Sequence, residues 1–248
     1  MPKLGLDSRQ LGSMLHAVLE NTYLHADDRS DPASLLATLE KECDKEFANA
    51  PTTYGFRPSV LWQIEQEQLR DKLRETITAL AQQTSWTPTH FEAKFGLGSK
   101  PPLAIDLQQE RIKIRGVIDR IDRNPEGDLR VIDYKSGSSH LAANDLKLGY
   151  RLQLPVYALA ARDALQLGNV IDGFYWKIQQ AEAGSLRLER FSNDDVKGIE
   201  VAFETLLQHL ERILAGIRSA DFPPQPPQGG CPSYCPAAQW CWRYTPGW

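Results

Sequence analysis

Residues 111–135 read RIKIRGVIDRIDRNPEGDLRVIDYK, and the rest of the predicted fold is arranged around them. Apolar side chains alternate with charged ones before the turn-forming segment NPEGD at 124–128, which predicts a β-hairpin over the whole stretch. Side chains of a strand alternate between its faces, so Asp133 and Lys135 project from the same face. A turn centred on this segment places Asp119 opposite or nearly opposite Asp133. We therefore expect two carboxylates and one ammonium to converge.

Two carboxylates at that spacing repel each other unless a positive charge lies between them, and a divalent cation is the usual one. Lys135 is placed to hold or to deprotonate a water molecule on that cation, and the arrangement suits metal-assisted attack on a phosphodiester. The tripeptide Asp133-Tyr134-Lys135 by itself also fits an exposed strand with alternating charges. The elements on either side of the hairpin have to distinguish these two interpretations.

The composition is that of an ordinary globular protein of 248 residues, 42% hydrophobic and 24% charged, which is long enough for one large domain. The net charge of −4 excludes a general basic field, so nucleic acid would have to contact a local basic strip. The hairpin carries such a strip: Arg111, Lys113, Arg115, Arg120, Arg123, Arg130 and Lys135. Because acidic residues lie among them, the strip by itself fits a solvated strand face better than a DNA surface.

The N-terminal residues 1–5 include no apolar signal segment, and no run of 18 apolar residues occurs in the sequence. We therefore expect a cytoplasmic protein with no membrane partner, in which structural disulfides are disfavoured. Cys43 continues a four-residue repeat of apolar positions in a helix that begins at Asp31. It is interpreted as a small apolar core residue.

Hydrophobic periodicity predicts the remaining regular elements. Helices are expected over 8–25, 59–83 and 194–218, and strands over 170–178 and 185–191.

Two polar side chains upstream of the hairpin are candidate ligands. Gly12 lies one helical turn before His16, which lets that helix approach a sheet closely, although a lone histidine is more often a hydrogen-bonded structural residue. Residues 90–95 alternate as a strand, with Glu92 on the side opposite to Phe91. Glu92 could reach a metal or be solvated, and both interpretations stay open.

Residues 150–161 predict a helix with Pro155 near its first turn. Gln153 and Tyr157 lie one turn apart on one face of this helix. They could act on the substrate or form an ordinary buried hydrogen-bonded pair.

The C-terminal region combines a stiff Pro/Gly-rich connector with a Cys-rich tail. Cys231, Cys235 and Cys241 indicate metal or iron–sulfur ligation more readily than disulfides in a reducing compartment. Three thiolates are one short of a closed [4Fe–4S] site, and Cys43 is predicted to lie in the core. We therefore expect the chain to hold iron substoichiometrically or not at all, with the tail poorly ordered or held by packing of its aromatic residues.

The order of these elements resembles the RecB-type nuclease domain of the PD-(D/E)xK superfamily, over essentially the whole chain. The motifs that carry the resemblance are Gly12-x3-His16, Glu92 on a strand, Gly116-Val117-Ile118-Asp119, Asp133-Tyr134-Lys135 and Gln153-x3-Tyr157. The Cys-rich tail is similar to those of AddB proteins and CRISPR adaptation nucleases. It departs from them by one extra residue between Cys231 and Cys235, and no cysteine precedes Gly12.

The resemblance implies a centre that binds Mg²⁺ or Mn²⁺. Its implied metal contacts are His16, Asp119, Asp133 and the backbone carbonyl of Tyr134, with Glu92 as a further candidate. Lys135 would orient or activate the attacking water, and Gln153 and Tyr157 would position the scissile phosphate or the lysine.

The expected fold is α/β, a PD-(D/E)xK restriction-endonuclease-like core with a central mixed sheet of about four or five strands flanked by helices. Residues 1–221 would form the nuclease domain, and 222–248 a connector and tail packed on it. The resemblance implies a deoxyribonuclease, an exonuclease rather than an endonuclease, that acts on single strands or duplex ends with a helicase in double-strand-break processing and recombinational repair. A catalytically silent DNA-binding module and a CRISPR spacer-acquisition nuclease are the alternatives.

Overall fold

The structure, a computed structural model, describes residues 5–108, 110–137, 141–193, 195–224, 230–231 and 235–246. The α-helices are α1 (Ser8–His25), α2 (Pro32–Thr53), α3 (Trp62–Ala81), α4 (Ala143–Lys147), α5 (Gln153–Leu159) and α6 (Ile199–Ser219). The strands are β1 (Thr87–Phe95), β2 (Leu103–Asp106), β3 (Arg111–Ile114), β4 (Gly116–Arg123), β5 (Leu129–Lys135), β6 (Val170–Lys177), β7 (Glu182–Arg187), β8 (Ser192–Asn193) and β9 (Val196–Lys197).

The central element is a mixed five-stranded sheet in the order β1-β4-β5-β6-β7. Neighbouring strands are antiparallel except β5 and β6, which run parallel. The expected α/β fold with a central mixed sheet flanked by helices is confirmed.

The N-terminal helices cover one face of this sheet. The Asp7 carboxylate caps α1 and the Asp31 carboxylate caps α2, each accepting hydrogen bonds from the first backbone N–H groups. The apolar stripes of α1, α2 and α3 pack against Tyr134 and Trp176 of the sheet, and together they form the main core. Cys43 is fully buried in this core, as predicted, and burial raises the pKa of its thiol to about 12.

The opposite face of the sheet is covered by α5. Lys135 projects to this face and its Nζ donates to Gln153 Oε1 at 2.9 Å, at the first residue of α5. The helix then passes into a π-helical turn at Ala160–Ala164. The predicted helix over 150–161 is confirmed, with a later start.

The predicted hairpin over 111–135 is wrong in its first four residues. β1 ends at Phe95, which pairs with Gly116, so residues before Gly116 have no partner in the central sheet. Arg111–Ile114 pairs instead with β2, in a separate two-stranded sheet that the sequence pattern did not predict. The hairpin proper is formed by β4 and β5.

The predicted basic strip is wrong at two positions, because two of its arginines point into the core. Arg120 and Arg130 are 1% and 3% exposed and both bind the carboxylate of Asp122, which is completely buried. Arg120 Nε donates to Asp122 Oδ1 at 2.5 Å, and Arg130 Nε donates to Oδ2 at 2.9 Å. Arg120 also donates to the Tyr23 hydroxyl. These side chains tie α1 to the sheet and cannot contact DNA.

The C-terminal predictions are corrected in part. Two compact units divide the chain, Met1–Leu207 and Gln208–Trp248. The helix predicted over 194–218 begins only at Ile199, because β8 and β9 form a short hairpin before it, and β7 begins earlier than predicted. The bounds 1–221 and 222–248, and the packing of the tail on the domain, stay predictions, and connector residues 225–229 lie outside the described residues. In the described part of the chain, no helix has the length and apolarity needed to cross a membrane.

The buried Asp122 cluster generates a stability prediction. Asp122→Asn should lower the free energy of unfolding by about 3–5 kcal/mol, because it leaves two buried guanidiniums without a carboxylate. Urea denaturation measures this loss. The matched control is Asp106→Asn, which removes an exposed ion pair with Arg111 and should change stability by less than about 0.5 kcal/mol. Equal losses in the two variants would contradict the role of the cluster.

Candidate metal centre

The pairing of β4 with β5 brings two carboxylates together, as the sequence predicted. Arg120 is paired with Ile132, so Asp119 and Asp133 are the next facing residues along the two strands. Asp119 Oδ2 accepts a hydrogen bond of 2.7 Å from the backbone N–H of Tyr134. Both carboxylates are largely buried, with 9% and 1% of each residue exposed.

His16 reaches the centre from α1. A side chain at Gly12 would place its Cβ 3.3 Å from Ser136 Oγ, so the absence of one lets the helix lie close to the end of β5. His16 Nε2 lies 3.1 Å from the Tyr134 carbonyl oxygen, the backbone atom implied as a metal contact. Its Nδ1 lies 3.6 Å from Asp119 Oδ2 and 3.8 Å from Glu92 Oε1.

Glu92 lies beside the same centre, within reach of a metal held by the other residues, and its role as a ligand stays a prediction. One ligand atom from each of His16, Glu92 and Asp119 lies within 4.8 Å of the others. Glu92 has a φ of 44°, in the left-handed region that a non-glycine residue rarely adopts. Such strain persists only where surrounding structure imposes it, and it is frequent at functional sites.

The charges of the centre are poorly compensated in the protein alone. Burial, together with the charge of Asp133, raises the pKa of Asp119 to about 7. Burial also raises the pKa of Asp133, although Lys135 opposes this. Burial by itself lowers the pKa of His16, but its contact with the Glu92 carboxylate and the charges of Asp119 and Asp133 outweigh that effect and raise it. Raised pKa values of both carboxyl groups and of the imidazole are what a site short of positive charge should show.

The donor set fits a small divalent cation. Asp133 Oδ2 is buried and, among the described residues, has no hydrogen-bond partner. The Lys135 ammonium lies 2.5 Å from this oxygen as an ion pair, outside hydrogen-bond geometry. Carboxylate oxygens and a backbone carbonyl suit Mg²⁺ or Mn²⁺, and a neutral imidazole can join them. Asp133 Oδ2, which is held by an ion pair and not by a hydrogen bond, can therefore also contact such an ion.

A chain of hydrogen bonds leads from Lys135 to α5. Gln153 Oε1 accepts from Lys135 Nζ, and Gln153 Nε2 in turn lies 2.7 Å from the Tyr157 hydroxyl oxygen. Burial raises the pKa of Tyr157 to about 12, so its hydroxyl keeps its proton. Both α5 residues are thus placed to hold the lysine head group.

Arg151 was missed by the sequence analysis. Its positive charge opposes the rise in the pKa of Asp133 that burial causes. Arg151 has no ion-pair partner within 4 Å in the described part of the chain. The signal available for it was weak, namely a basic residue two positions before Gln153. The three tail cysteines are free thiols, and their role as iron–sulfur ligands stays a prediction.

Comparison with known proteins agrees with this geometry. A family model described as the PD-(D/E)XK nuclease superfamily matches residues 2–242. Three similar proteins are each named as one component of an ATP-dependent helicase/deoxyribonuclease. The protein of Clostridium kluyveri is 29% identical over 195 residues, which cover 70% of this chain and 17% of that protein. The protein of Carboxydothermus hydrogenoformans is 27% identical over 233 residues, 84% of this chain and 21% of that protein.

The third relative, from Clostridioides difficile, is 37% identical over 97 residues, 36% of this chain and 8% of that protein. The matches to these three curated relatives thus span about a fifth or less of their length. The family match covers nearly all of the sequence and confirms the resemblance inferred from its motifs. This chain belongs to the PD-(D/E)XK nuclease superfamily.

Proposed function

We propose that this chain is a divalent-metal-dependent deoxyribonuclease. The observation that carries the proposal is the convergence of four ligand side chains beside one lysine. The proposed ligands are His16, Glu92, Asp119 and Asp133, together with the carbonyl oxygen of Tyr134. A catalytically silent relative would have no need to bury Asp119 and Asp133 side by side, which raises the pKa of both.

A bound Mg²⁺ or Mn²⁺ would supply a Lewis acid for the phosphodiester and lower the pKa of a coordinated water. The residues of the chain have separate tasks around it. Because His16 must be neutral to bind a cation, filling the site would disfavour its protonated form. The hydrogen bond from Tyr134 N–H fixes one oxygen of Asp119 and leaves the other carboxylate oxygen to the ion.

Lys135 is the residue that handles the attacking water. Its ammonium carries three hydrogens, of which Gln153 accepts one. The remaining hydrogens can hold a water or a phosphate oxygen, while the ion pair with Asp133 keeps the head group beside the metal ligands. Tyr157 holds the Gln153 amide, so the lysine is oriented before substrate arrives.

A wider role is supported by the relatives, whose names combine a helicase with a deoxyribonuclease. On that basis the chain is proposed to act as a cytoplasmic exonuclease on DNA strands from broken ends, with a helicase partner, in double-strand-break repair and recombination. A spacer-acquisition nuclease of CRISPR immunity would share the chemistry and differ in its partners.

The deciding experiment is incubation of labelled single-stranded and duplex DNA with Mg²⁺, Mn²⁺ or EDTA. Cation-dependent cleavage that releases mononucleotides or short products from ends supports the proposed exonuclease. Cleavage of a circular single strand would indicate an endonuclease instead. Binding of DNA with no cleavage under any condition would establish the silent DNA-binding module.

Lys135 tests the mechanism. Lys135→Ala should lower the cleavage rate by roughly 10²–10⁴-fold, the usual contribution of a positioned acid–base group, with little change in melting temperature. Lys177→Ala is the matched control, because Lys177 faces Lys135 on the neighbouring strand but is bound to Glu182. Its cleavage rate should stay within about twofold of wild type. Wild-type cleavage by Lys135→Ala would refute the assigned role.

Asp119 tests the charge balance of the metal-free site. Its folded pKa of about 7 lies above its unfolded pKa of about 3.9, so metal-free protein loses stability from this group as pH rises through that interval. Asp119→Asn should therefore have a higher melting temperature than wild type between pH 6 and pH 8 in EDTA. The expected rise is about 2–4 °C for each kcal/mol gained in the free energy of unfolding. Adding Mn²⁺ at pH 8 should stabilise wild type and not the variant. The same cation-induced rise in both proteins would remove Asp119 from the ligand set.

Gln153 distinguishes substrate positioning from simple helix packing. Gln153→Ala should reduce turnover at saturating Mn²⁺ without changing the Mn²⁺ concentration that gives half-maximal activity. Tyr157→Phe keeps the aromatic ring beside Phe95 and should cause a smaller loss. A large fall in melting temperature with a proportionate loss of activity would instead identify the pair as a structural hydrogen bond.

A further inference from the structure

A groove runs along the edge of β1, and the proposed reaction assigns no role to it. β1 is an edge strand of the central sheet, paired with β4 on one side. The groove beside it has a volume of about 620 Å³. Its walls come from Leu24 of α1 and from Leu165 and Leu167, which follow the π-helical turn. Glu92 lies in the same groove, so it opens onto the metal centre.

We propose that this groove binds single-stranded DNA and directs it to the metal centre, an inference that rests on the proposed nuclease function. A volume of this size is typical of a site for a small organic molecule, roughly 300–1,000 Å³, and so suits one or two nucleotides.

The charges of the groove fit a phosphate backbone. Lys94 and Lys100 line it, are exposed, and have no ion-pair partner within 4 Å among the described residues. Arg29 adds a third positive charge, held by a 2.6 Å hydrogen bond from its Nε to the Tyr23 carbonyl oxygen. The leucines of the walls offer apolar contact to bases, which single strands expose and duplexes do not.

Two acidic groups give the groove a dependence on metal. Glu20 and Glu92 line it as well and offset part of the positive charge. Glu92 is also a proposed metal ligand, so a bound cation neutralises it and leaves the groove more positive. Single-stranded DNA should therefore bind more tightly when the metal site is filled.

A peptide strand is the other occupant that a free sheet edge could accept. The backbone of β1 is unsuited to it. Pro88 has no N–H to donate, and the pairing register shifts between Pro88 and His90. The backbone of Glu92 adopts the left-handed conformation. A regular ladder of hydrogen bonds along this edge is therefore interrupted near the start and near the middle of β1, which favours DNA as the occupant.

The test measures binding of a fluorescein-labelled 12-nucleotide single strand and of a 12-base-pair duplex by anisotropy, with Mn²⁺ and with EDTA. All proteins carry Lys135→Ala, so that cleavage does not intervene. The double variant Lys94→Glu/Lys100→Glu is compared with Lys41→Glu/Lys197→Glu, which makes the same charge change at exposed lysines that do not line the groove. Melting temperatures verify that both variants fold.

The groove variant should bind the single strand at least about tenfold more weakly at 50 mM salt. The slope of log Kd against log salt should fall by about 1.4, because each of the two lost phosphate contacts contributes about 0.7. The control should change affinity less than about twofold, and EDTA should weaken binding by the parent protein. Equal losses in the two double variants, an equal loss for the duplex, or unchanged single-strand binding would overturn the groove, the last favouring a peptide. Failure of the nuclease proposal is a separate result, namely no cation-dependent cleavage by wild-type protein.

Discussion

The hydrogen bond from Tyr134 N–H to Asp119 Oδ2 joins the two central strands at the point on which the site depends. It requires β4 and β5 to pair in one register, and a slip by one residue would turn Asp119 or Asp133 to the other face of the sheet. In the observed register the two carboxylates meet, the Tyr134 carbonyl faces His16, and Lys135 faces α5.

The two faces of β4 deal with buried carboxylates in opposite ways. On one face Asp122 is enclosed by two guanidiniums, and the cluster is complete within the protein. On the other face Asp119 is buried beside Asp133, and its hydrogen bond from Tyr134 and the charge of His16 do not offset the burial. The first arrangement stabilises the fold, while the second leaves buried negative charge that the proposed cation would offset.

The four cysteines differ in burial, and burial affects whether a thiol can bind a metal. Cys43 lies in the apolar core, where the raised pKa of its thiol opposes the thiolate form that a metal requires. Among the tail cysteines Cys231 is also buried, whereas Cys235 and Cys241 are half-buried. The identity of a side chain therefore says less about ligation than its surroundings do.

The sequence by itself determined the parts of this protein that depend on local pattern. The helix start at Asp31 and the facing of Asp119 and Asp133 follow from sequence pattern. The placement of Gln153 and Tyr157 on one face follows from the helical period. Tertiary structure alone decided which charged groups are buried and where strands change partner. The arginines at 120 and 130 look exposed in an alternating pattern, yet the helices cover them. The end of β1 at residue 95 breaks the hairpin, and the left-handed backbone at residue 92 has no sequence signal. The reason is physical: periodicity shows which side chains share a face, whereas contacts between distant segments decide which face is covered.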